Sequence, residues 1–183
     1  MQMAAPTFSD SQEDILSLTQ ANDIFQSRKG PDIIDESLRP LILSHGLGDK
    51  FGVILVHRHA RLESGEAMVA YNNTSSPWPS QPQAPCGGSI IPQAWRLKEG
   101  ELRPYEYRFV PSKSGLRDAL SSHSSFVTEF TETLERHNLS SCAGLSLIPE
   151  GGKECLEITV NSTNIMIPSN EVIKQPNLPL FMY

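Results

Sequence analysis

The run Phe51-Gly52-Val53-Ile54-Leu55-Val56-His57-Arg58-His59 constrains this chain more than any other stretch. Its central residues are apolar at consecutive positions, so an extended backbone through them puts hydrophobic side chains on both faces. Such a strand cannot lie on a solvated surface. The expectation is a strand over 51–59, internal to a sheet and covered on both sides. Leu62 to Gly65 read as a turn and Glu66 to Tyr71 as a second strand, so 51–71 is expected to be an antiparallel hairpin.

The same stretch carries the candidate chemistry. On a strand side chains alternate with period 2, so His57 and His59 leave one face together and can offer two imidazole nitrogens to one ion. His45, in the preceding loop, and Glu63, just past the pair, are the candidates to complete a metal set of His45, His57, His59 and Glu63. Two histidines and a carboxylate with open positions suit zinc or iron, a divalent metal in either case. His57, His59 and Glu66 are the candidate catalytic groups, one histidine acting as general acid or base. Arg58 and Trp78 are the candidate ligand or lid contacts. The alternative reading of the pair is structural: two half-exposed histidines bonded to neighbouring loops.

Around this stretch the pattern is helical first and extended later. Ser11 and Asp14 resemble a capping box, and Ile15, Leu18, Ala21 and Phe25 recur at helical spacing, which predicts a helix over 12–28 ended by Gly30-Pro31. A second helical stretch is expected over 32–44, with Pro40 in its first turn or dividing it. Five prolines between Pro77 and Pro92 predict a long loop or lid over 74–92. Strands are expected at 95–97 and 102–110 across Lys98-Glu99-Gly100, a long helix over 115–137, then strands at 143–148, 154–160 and 163–167, the first two joined by Pro149 to Gly152. The fold class is α+β: residues 1–10 a disordered lead-in, then a single domain over 11–183. Antiparallel hairpins pack with an N-terminal helical region and one long central helix, and an extended tail covers 168–183.

Composition narrows the function classes. Fifteen Lys and Arg against 21 Asp and Glu leave a net charge of −6. No basic stripe offsets it, which argues against nucleic acid as the main partner. No apolar run approaches the length of a membrane helix. Met1 to Pro6 lack a secretory signal, and Cys86, Cys142 and Cys155 form an odd set without CxxC spacing, so reduced thiols in a cytoplasmic protein are expected. No Walker A, GxGxxG or GxSxG occurs. The expected partner is a small-molecule substrate, with a homodimer joined through the apolar tail Leu178 to Tyr183. The alternative is a non-catalytic module that binds a ligand or protein through the proline-rich loop and the tail.

Two resemblances attach to these residues. Gly52, His57, His59 and Glu63 resemble the first motif of cupins, which implies a metal held by His57, His59 and Glu63. Pro149-Glu150-Gly151 is similar to the start of the second cupin motif, with Glu154 where that motif has histidine. The stretches His45 to His59 and Pro104 to Phe109 resemble segments of uncharacterised proteins from filamentous fungi. That resemblance implies a cytosolic fungal protein and no catalytic residues.

Overall fold

The computed structural model describes residues 14–79, 88–111, 119–148 and 155–168. Four short helical segments come first or lie centrally: α1 (Leu18–Ser27), α2 (Gly30–Ile33), α3 (Arg39–Ser44) and α4 (Ser124–Arg136). The strands are β1 (Phe51–Leu55), β2 (Glu66–Tyr71), β3 (Thr74–Pro79), β4 (Ser89–Lys98), β5 (Glu101–Val110), β6 (Ala143–Leu147), β7 (Cys155–Val160) and β8 (Thr163–Pro168). They form one mixed sheet in the order β1-β6-β4-β5-β2-β3-β8-β7, antiparallel except for the parallel pair β2 and β5. The architecture is α+β and dominated by the sheet.

The capping box of α1 is Ser17 with Gln20, each side chain bonding the other's backbone nitrogen, and Ser11 of the expected Ser11–Asp14 box lies outside the described residues. Between α2 and α3 the chain makes a π-helical turn, Ile34–Leu38. Proline has no N–H and crowds the preceding turn, and the widened turn precedes Pro40 near the start of α3. The expected long helix is shorter than 115–137: α4 has thirteen residues, and residues 119–122 form turns. Its Phe126, Phe130 and Leu134, one turn apart, are fully buried with Leu38, Phe51, Trp95, Leu139 and Leu145. Each such side chain contributes roughly 1.5–3 kcal/mol relative to exposure. This core joins the helices to one face of β1, β6 and β4.

β1 is not internal, and 51–71 is not a hairpin. β1 ends at Leu55, forms one edge of the sheet and pairs with β6, whereas β2 pairs with β3 and β5. The apolar run is buried on both faces by packing layers instead of by two flanking strands. Val53 and Leu55 pack on the helical core, while Ile54 and Val56 pack with Ile15, Ala94 and Tyr105. Beyond β1 the edge is covered by the segment before α1: the Arg58 N–H donates to Leu16 O, and Ser17 bridges Arg58 in parallel. Gly144 of β6 is required by close approach, since a Cβ there would meet Trp95 O at 2.3 Å.

The proline-rich stretch is partly strand. β3 runs from Thr74 to Pro79, and only Thr74 and Ser75 pair with β8, so Pro77 and Pro79 need not donate to a ladder on that side. β4 starts at Ser89; Pro92 of β4 and Pro104 of β5 adjoin the register shifts in that pair. Residues 80–87 of the expected loop, residues 1–13, Pro149 to Glu154 and the tail from 169 lie outside the described residues. β6 does not pair with β7, which pairs with β8. No helix among the described residues is long and apolar enough to cross a membrane.

Candidate metal centre

The two edges of the sheet order meet at His59. The imidazole follows β1, at one edge, yet it contacts Glu106 of β5 and Glu157 of β7, the opposite edge strand. β5 and β7 are four steps apart in that order, roughly 19 Å along a flat sheet at about 4.8 Å per step. One ring touches both carboxylates because the sheet curls. His59 Nε2 lies 2.7 Å from Glu106 Oε1, and Nδ1 lies 2.7 Å from Glu157 Oε1.

The two contacts differ in kind. The Glu106 contact is an aligned hydrogen bond, whereas Nδ1 is shielded from solvent and has no hydrogen-bond partner of good geometry. Glu157 is therefore close to Nδ1 but off the line of an N–H. His57 completes the arrangement. Its ring is 4.2 Å from that of His59, and its Nδ1 donates to Leu55 O at 2.9 Å, which leaves the Nε2 lone pair for a ligand. One ligand atom from each of His57, His59 and Glu157 lies within 4.8 Å of the other two.

Electrostatics separates the two histidines. Burial and the neighbouring His59 hold the His57 imidazole below its ordinary value of 6.5, so it is neutral. Burial alone would do the same to His59, but the Glu106 hydrogen bond and the close negative charges of Glu106 and Glu157 outweigh it and push it up to about 10. Burial raises the Glu157 carboxyl, and its contact with His59 overrides that and leaves it below the ordinary value. Tyr105, at the bulge in β5, is fully buried, and burial with the Glu106 and Glu157 charges pushes its phenol well above 10.

The expected pair does come together, although past the end of β1 rather than on it. The expected partners do not join it. His45, at the end of α3, pairs with Glu129 at 3.3 Å and packs on Phe126. Glu66 accepts from the Glu63 N–H at 2.9 Å in the turn before β2, and neither carboxylate belongs to the cluster. Arg58 is exposed, and Trp78 lies in β3 against Phe109. The carboxylates that sequence reasoning missed, Glu106 and Glu157, sit in matching contexts: Tyr105-Glu106-Tyr107 and Leu156-Glu157-Ile158. Alternation signals a polar face, and here that face is the one the curl turns towards His59.

Compared with known proteins, the chain matches no family model, no curated protein and no solved structure.

Proposed function

We propose that this protein is a small metal-dependent enzyme whose centre is His57, His59 and Glu157, holding zinc or iron and acting on a small organic substrate. The observation that carries the reading is His59 Nδ1, buried beside a carboxylate that is near but misaligned, with the His57 Nε2 lone pair close by. Both histidines also have the supports that ligating imidazoles need. His57 Nδ1–H is fixed by Leu55 O, and His59 Nε2–H is fixed by Glu106. Two imidazoles and one carboxylate leave coordination positions open, the requirement for binding and polarising a substrate or water.

Metal content tests this. The purified protein, stripped with chelator and reconstituted, is expected to retain close to one zinc or iron per chain by elemental analysis. The His57→Ala/His59→Ala variant is expected to retain none. Equal metal in both, or none in either, overturns the proposal. The lowered basicity and fixed tautomer of His57 favour one second reading, a metal-free general base. Activity that survives exhaustive chelation and is lost in His57→Ala would select it.

A further inference from the structure

Arg108 lies on the same strand and the same face as Glu106, two residues along β5. Register carries that face across the sheet: Arg108 opposes Ala70, Ala70 opposes Ser75, Ser75 opposes Asn164, and Asn164 opposes Thr159. Thr159 is two residues beyond Glu157 on β7, so Glu106, Arg108 and Glu157 all leave one face. This is the face that curls towards His59. Arg108 is half-buried, and its Nε is shielded from solvent without a hydrogen-bond partner. Of the carboxylates on its face, Glu106 and Glu157 are taken by His59, and Glu66 of β2 accepts from the Glu63 N–H.

A guanidinium cannot shed its proton, and here its Nε is shielded with no acceptor, so the position suits an anion. The charge balance says which kind. When a divalent ion stands at His57, His59 and Glu157, the Glu106 and Glu157 carboxylates cancel its charge, and the charge of Arg108 remains. One surplus positive charge suits a monoanionic head group, a carboxylate more closely than a phosphate dianion. Ala70 and Ser75, the residues that follow Arg108 in its row, are small. Resting on the metal reading above, we propose that Arg108 anchors the carboxylate of a small organic acid that reaches the metal at His57, His59 and Glu157.

The test uses calorimetry on the full chain in two stages: zinc binding first, then titration of the zinc-loaded protein with pyruvate, succinate or inorganic phosphate. Arg108→Gln and the charge-retaining Arg108→Lys are compared with the parent, with thermal melts as a check on folding. The expected result is unchanged zinc affinity in both variants, with carboxylate affinity at least tenfold weaker in Arg108→Gln and intermediate in Arg108→Lys, which lacks the planar fork. Failure of the parent to bind zinc removes the metal reading and this one together. Zinc binding with no carboxylate affinity, or with affinity equal in parent and both variants, overturns the Arg108 assignment alone. Arg108-dependent binding that favours phosphate overturns the choice of a carboxylate.

Discussion

Raising the pH of the metal-free protein from 6.5 to 9.5 is expected to destabilise it through His59. The imidazole is protonated in the fold up to about 10, against an ordinary value of 6.5. A folded-state value above the unfolded one means that the stabilisation is complete below about 6.5 and is lost as pH rises towards 10. At 1.36 kcal/mol per unit the ceiling is about 5 kcal/mol. Glu157 is 27% exposed, and solvent screening of that partner brings the expected loss to roughly 2–4 kcal/mol. Urea denaturation in chelator at pH 6.5, 7.5, 8.5 and 9.5 reads this as a fall of about 1–2 M in midpoint at an ordinary m-value. His59→Gln supplies the background slope from lysines and tyrosines, and the difference between parent and variant is the His59 contribution. Parallel curves for the two proteins would refute the reasoning. Zinc should reverse the trend. The ion takes the place of the Nδ1 proton, so zinc affinity rises with pH over the same window and close to one proton is released per ion at pH 7.5.

Six substitutions extend the account. Glu106→Gln keeps the size of the side chain but weakens the orientation of His59, and zinc affinity measured by competition with a chromophoric chelator should fall by about 10- to 100-fold. His45→Ala, Glu63→Gln and Glu66→Gln lie outside the cluster and should leave metal content at the parent level by elemental analysis. Gly144→Ala drives a methyl against the Trp95 carbonyl and should cost about 1–3 kcal/mol by urea denaturation. Phe130→Ala empties a fully buried site on α4 and should cost about 3–5 kcal/mol in the same assay, with no change in metal stoichiometry.

Local order was readable in the sequence wherever the backbone answered to near neighbours. Glu99 and Gly100 both adopt positive φ, as a two-residue hairpin turn between β4 and β5 requires. Asn161 adopts positive φ at the expected turn between β7 and β8, whereas the Asn72 turn leads into β3, where the sequence suggested a loop. The helical spacing of Val127, Phe130 and Leu134 located α4, although not its start. Long-range pairing was not readable. An apolar run such as Val53 to Val56 shows that two faces are buried but does not show whether strands or layers bury them, so an edge strand was read as a central one. The site failed in the same way. His57 and His59 announce themselves by adjacency, whereas Glu106 and Glu157 lie 47 and 98 residues from His59 and reach it only because the sheet curls. Glu63 and Glu66 were near in sequence and are engaged with each other instead.

The central claim is that three side chains share one ion. An anomalous difference map from crystals of the zinc-reconstituted protein, collected at the zinc edge, tests it most directly. The account predicts a single peak about 2.0–2.2 Å from His57 Nε2, His59 Nδ1 and a Glu157 oxygen, with Glu106 still bonded to His59 Nε2. No peak among those atoms, with His59 still held between the two glutamates, would contradict it.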